Sequence, residues 1–243
     1  MEEPPAGRLA RTRALLVEDR DLRGGVIFAA GLAVTAVLAL VSLAYLGRRL
    51  SPSDFATYGA FLGAFLALSS PNTALFGGAA MVSAARGEIL QPRWRGAIAG
   101  IGSVLGLGAL LPFPSTLRTG LLFGAAAAVW MLMSWNRGLL IGLGRLSAVA
   151  GTMVWEGVAR VGFTILLVAA GWRIAGATGG LVLGMAAALV VTEWVLPRRT
   201  GRESGPIPTE VRVSIVGLLF LGLMQFADVT AVRLAGSPGS ARS

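Results

Sequence analysis

The 243-residue sequence contains no cysteine, no histidine and no lysine. Without cysteine there is no disulfide, no thiolate metal centre and no cysteine nucleophile, and the redox compartment leaves no trace in the chain. Without histidine the commonest general base and the commonest metal ligand are both missing. Without lysine there is no lysine-bearing phosphate loop, which excludes ATP-driven pumping by this chain. Charge is also scarce, at 14% of residues against about 25% in ordinary globular chains. What fills the space is apolar: 55% of the residues are hydrophobic and the mean hydropathy is +0.73. A water-soluble domain of this length cannot hide that much apolar surface in its core, so the bilayer is expected to take the excess.

The 21 basic residues, set against 12 acidic ones, are all arginine and give a net charge of +9. They do not gather on one soluble face, which argues against nucleic acid as a partner. They stand in short gaps between apolar runs. Most of the arginine excess reads as codon bias, with anionic-lipid or phosphate binding as the functional alternative.

A helix needs about 20 mostly apolar residues to cross roughly 30 Å of hydrocarbon with its backbone hydrogen bonds satisfied internally. Runs of that kind cover 25–46, 55–85, 96–111, 119–142, 148–171, 174–196 and 213–235. The spacing therefore predicts an all-α, polytopic bundle of about seven membrane helices. Residues 1–24 read as a cytoplasmic amphipathic lead-in, with Leu9, Leu15, Leu16 and Leu22 between arginines. Glu18, Asp19 and Asp21 fit a cleaved signal peptide badly. Residues 25–196 form a six-helix lobe, 197–212 a cytoplasmic loop, and 213–243 the seventh helix and C-terminal end. The run 55–85 carries Pro71 and Asn72 and is expected to be one kinked helix.

Arginine placement orients the bundle, because cytoplasmic loops hold the excess of positive charge. With the N-terminus inside, Arg8, Arg11, Arg13, Arg20, Arg23, Arg86, Arg93, Arg95, Arg137, Arg145, Arg198, Arg199, Arg202 and Arg212 are cytoplasmic, fourteen in all. The outer loops hold four: Arg48, Arg49, Arg118 and Arg173.

Ionisable side chains inside a span are costly and mark functional candidates. Glu156 and Arg160 stand at i and i+4 in the fifth run, where they share a helical face. Arg160 reads either as a phosphate ligand positioned by Glu156 or as half of a structural ion pair. Asp228 follows Gln225 by three residues in the last run and faces a cavity, a cation or a neighbouring helix. Glu193 beside Trp194, and Asn136 with Arg137 beside Trp135, read as anchors at the membrane boundary. Asp19 and Asp21 spell a DxD pattern, but side chains at i and i+2 of a helix point apart, so a solvated lead-in explains them. Glycine pairs in GxxxG spacing, such as Gly59 with Gly63, Gly138 with Gly142 and Gly180 with Gly184, indicate close helix packing in general.

Three stretches carry a family resemblance: LGRRLSPSDFATYGAF at 46–61, RGLLIGLGRLSAVAGTMVWEGVARVGFTILLV at 137–168 and QFADVTAVRLAGSP at 225–238. They resemble the N-terminal half of polysaccharide-transporter, Wzx-type oligosaccharide-lipid flippases, within the superfamily that also holds the lipid II flippase MurJ and the MATE exporters. The chain departs from the family at Ala56, where glycine is usual, and at Ser70, Pro71 and Asn72, which replace a glycine-rich bend. The resemblance implies a two-lobed transporter, of which this chain supplies the first lobe, that moves an undecaprenyl-diphosphate-linked oligosaccharide across the cytoplasmic membrane. The missing histidine and cysteine lead to the further expectation of no enzymatic activity, no cofactor and no metal. The implied partners are membrane lipids, the lipid-linked oligosaccharide and other polysaccharide assembly proteins. A diphosphate headgroup needs a cationic cavity, for which Arg160 with Glu156 comes first, then Arg48 and Arg49 at the outer mouth, with Asp228 and Gln225 from helix seven. A non-transporting scaffold of a polysaccharide assembly complex is the competing expectation; a membrane transferase would need an acidic loop that the sequence lacks.

Overall fold

The computed structural model describes residues 5–86, 93–110 and 117–197, together with the helical positions 213, 217, 220 and 224. Among these residues all regular structure is helical. The helices are α1 (Pro5–Arg49), α2 (Pro52–Ala67), α3 (Ser69–Arg86), α4 (Arg93–Leu110), α5 (Leu117–Gly142), α6 (Leu146–Leu167) and α7 (Arg173–Val195). Three segments are long and apolar enough to cross a membrane: Leu22–Arg49, Pro52–Ala84 and Leu146–Val195, of 28, 33 and 50 residues. Length and composition thus fit a membrane protein.

Local chemistry explains the boundaries. No proline follows Pro5 until Pro52, so nothing forbids the helix, and the lead-in runs unbroken into the first apolar run as α1. Ser51 then caps α2 by accepting the Asp54 amide at 3.2 Å, and Pro52 fills the first turn, where its missing N–H is not needed. The run 55–85 is broken at Leu68, three residues before Pro71. Proline cannot donate to the carbonyl four residues back, and its ring crowds the preceding turn, so the bend forms just ahead of it. The Asn72 amide bonds the Leu68 carbonyl at 3.2 Å and carries the chain through. After α5, Gly144 takes φ 70 and its N–H bonds the Ile141 carbonyl at 2.8 Å, a left-handed helix end. The 50-residue apolar segment reverses at Gly171 (φ 88) and Arg173 (φ 44), so it contains two antiparallel helices rather than one.

Close approaches at glycine fix the relative directions. A β-carbon added at Gly180 or Gly184 would collide with the backbone of Thr164 or Arg160, so α7 runs antiparallel to α6. Gly102 meets Ala128 and Gly106 meets Gly124, which sets α4 antiparallel to α5. Gly138 and Gly142 press on the carbonyls of Phe76 and Ala80, so α3 and α5 are parallel; Gly31 on Ala150 and Gly157 on Leu38 make α1 and α6 parallel. The seam of α7 is a stripe of small residues at every fourth position, Gly176, Gly180, Gly184, Ala188 and Thr192, all buried. Small seams let backbones meet closely, which is how helices associate when lipid competes for every apolar side chain.

One end of the bundle gathers the C-terminus of α1, the start of α2, the start of α5 and the α6–α7 reversal. Its core is aromatic: the Phe123 ring lies 4.7 Å from Phe61, edge-on, and 4.5 Å from Phe65, above Leu181 and Met185. Beside it Leu46, Leu50 and Tyr58 pack against Val168 and Ala177. The opposite end gathers the C-termini of α3, α5 and α7 with the N-termini of α4 and α6, and there the polar side chains collect.

A charged network at one end of the bundle

Helix α6 presents Thr152, Glu156, Arg160 and Thr164 at intervals of four, a single polar stripe toward its neighbours. Arg137 enters this stripe from α5. Its Nη1 donates to Glu156 Oε2 at 2.8 Å, its Nε to Thr152 Oγ1 at 3.1 Å and its Nη2 to the Thr152 carbonyl at 2.8 Å. The Thr152 hydroxyl in turn donates to the Val149 carbonyl at 2.8 Å. Only 5% of Arg137 is exposed. Arg160 approaches the other oxygen of Glu156 at 3.8 Å, beyond hydrogen-bond length, and its side chain is 20% exposed. Glu156 therefore faces two guanidinium groups, one tightly bound and one loosely, and the cluster keeps a net positive charge.

Depth sharpens the point. Glu156 lies ten residues into α6 and Arg160 fourteen, or about 15 and 21 Å along the axis from Leu146 at 1.5 Å per residue. These charges stand near the middle of a helix long enough to span, where an unpaired charge is expensive.

A second pairing lies closer to the helix ends. Arg95 on α4 makes a bidentate ion pair with Glu193 on α7, and the Asn136 amide donates to Glu193 Oε1 at 2.6 Å. Asn136 and Arg137 are consecutive on α5, so two adjacent residues reach into both pairings and join α4, α5, α6 and α7. On the third side of α5, the Ser83 hydroxyl of α3 donates to the Leu139 carbonyl at 3.0 Å.

The expected pair of Glu156 and Arg160 is thus brought together, but as the weaker half of a triad. Asn136, Arg137 and Glu193 are more than boundary anchors. Arg137 sits near the end of its own helix, yet its side chain is buried against Thr152 and Glu156 of α6. Such cross-helix pairing has no spacing rule in the sequence. The one available signal was the four-residue polar period on α6, which requires a polar partner opposite. Arg48 and Arg49 stand exposed at the other end of the bundle, Arg49 lying 5.9 Å from the Tyr45 ring centre. Asp228 and Gln225, and the side chains of Asp19 and Asp21, lie outside the described residues. Of the seventh run, Val213, Gly217, Phe220 and Met224 are helical and exposed.

No family model, curated protein or solved structure matches this chain. What stands is an all-helical protein with helices able to cross a membrane and a buried charge network at one end.

Proposed function

We propose that the chain is the first lobe of a cytoplasmic-membrane transporter that flips lipid-linked oligosaccharide, with seven spans and its N-terminus inside. The observation that carries this reading is the Arg137–Glu156–Arg160 triad: two largely buried guanidinium groups, one from the end of α5 and one from the middle of α6, face a single carboxylate, and Arg160 has donors to spare. A diphosphate-linked lipid presents pairs of tetrahedral phosphate oxygens that a planar guanidinium fork recognises, and a cationic lining offsets the loss of their hydration. Glu156 holds Arg160 in place without neutralising both arginines.

Two further features support the membrane placement. Trp172 and Trp194 mark the two ends of α7 and are 60% and 87% exposed. Their separation of 22 residues corresponds to about 33 Å, close to the hydrocarbon thickness, and tryptophan favours both interfaces. The alternating helix directions also leave Arg95, Arg137 and Arg145 at one end, the end the positive-inside rule assigns to the cytoplasm.

Replacing Arg160 with alanine in the producing cell is expected to abolish surface polysaccharide while the protein stays inserted, with partial recovery in Arg160→Lys. A scaffold reading is favoured by one observation: Arg137 and Glu156 satisfy each other without any ligand. A scaffold predicts that Arg160→Ala leaves polysaccharide export intact, so the same experiment separates the two.

A further inference from the structure

The end of the bundle opposite the charged network carries three arginines of a different kind. Arg48 and Arg49 close α1 and Arg173 opens α7; all three are exposed, and none is paired with a carboxylate among the described residues. They share one height. Gly31 against Ala150 and Leu38 against Gly157 set α1 level with α6 at an offset of 119 residues, which places Arg49 beside Val168, about one helical turn from Arg173. Leu46, Leu50 and Ile174 pack in one cluster with Val168, so the two helix ends touch. Tyr45 under Arg49 and the exposed Trp172 beside Arg173 add the aromatic groups that settle at a headgroup layer.

Arg173 holds φ 44 and ψ −126, a backbone region that a side chain rarely adopts. Glycine would sit there without strain. Arginine there is strained, and among the described residues its side chain makes no ion pair.

We propose that Arg48, Arg49 and Arg173 form a binding site for the phosphate of an anionic glycerophospholipid at the interface opposite the charged network. The site rests on the membrane placement alone and is independent of what the chain transports. Each guanidinium near a charged lipid surface contributes about fivefold in affinity, so the three together account for about a hundredfold.

The test uses the full chain in lipid vesicles, with Trp172 fluorescence quenched by brominated phosphatidylglycerol or brominated phosphatidylcholine and the Trp172→Phe signal subtracted. The unaltered chain is expected to prefer phosphatidylglycerol. The triple variant R48A/R49A/R173G should lose most of that preference, and the single Arg173→Gly, which also relieves the backbone, about fivefold of it. Arg23→Ala and Arg145→Ala, at the other end, should leave it unchanged. An undiminished preference in the triple variant, or an equal loss in the two distal variants, overturns the site. So does a response to undecaprenyl diphosphate with none to phosphatidylglycerol, which would assign these arginines to the transport route. If Arg160→Ala proves silent in export while this preference persists, transport fails and the lipid site stands.

Discussion

The two ends of this bundle are held by opposite means. At one, Phe61, Phe65 and Phe123 interlock with Leu181 and Met185, and the neighbouring arginines are exposed, with no carboxylate partner among the described residues. At the other, Arg95, Asn136, Arg137, Glu156 and Glu193 tie four helices through hydrogen bonds. In water both would count as ordinary cohesion. In hydrocarbon they differ, because lipid tails solvate a phenyl ring nearly as well as a neighbouring helix does, whereas nothing in the tails solvates a carboxylate. The aromatic end is thus held by shape and the charged end by the absence of any alternative partner.

The surest way to break the comparison is to separate the helices that both ends depend on. Gly142→Val puts a branched side chain onto the Ala80 carbonyl and the Ser83 side chain, a backbone collision that neither helix can absorb. The expected outcome is loss of a monodisperse folded peak in detergent size-exclusion chromatography. Arg137→Ala attacks the charged end by leaving Glu156 with only the distant Arg160; removal of one member of a buried pair costs about 3–5 kcal/mol. Its chemical-denaturation midpoint in mixed micelles should fall accordingly, and the double change Arg137→Met with Glu156→Met should recover much of the loss. Phe123→Ala at the aromatic end opens a cavity, with an expected loss of about 3 kcal/mol by the same assay and no rescue by any charge change. Arg95→Ala removes a partly exposed pair, and about 1 kcal/mol or less is expected. Should Arg95→Ala prove as damaging as Arg137→Ala, the distinction between deep and peripheral charge would collapse.

Much of the scaffold was legible in the sequence, for a reason that particular elements show. The apolar runs 25–46, 119–142 and 174–196 fall inside α1, α5 and the α7 region because a spanning helix satisfies its own backbone and needs no distant partner to form. The bend in 55–85 was legible through Pro71 for the same local reason, although it falls at Leu68. The 45-residue continuity of α1 was not, since the lack of proline between Pro5 and Pro52 permits it while Gly24 and Gly25 at the junction allow a break as readily. The site was half legible. Glu156 and Arg160 share a helix, so their spacing reveals them, but the stronger bond of Glu156 comes from Arg137 on a different helix. Of the glycine pairs, Gly138 with Gly142 and Gly180 with Gly184 lie at tight crossings, while Gly59 faces open space. The motif is the same in each, and only the opposing helix makes the difference.

The crossing at Gly184 bears directly on Arg160. The α-carbon of Arg160 is pressed against Gly184 with no room for even a methyl group between them, so its stem is anchored as firmly as a crane on a wall. Whatever distance the guanidinium travels must come from rotation about its own side-chain bonds. A charge mounted in this way sweeps a fixed arc, and anything it meets there has to come to it.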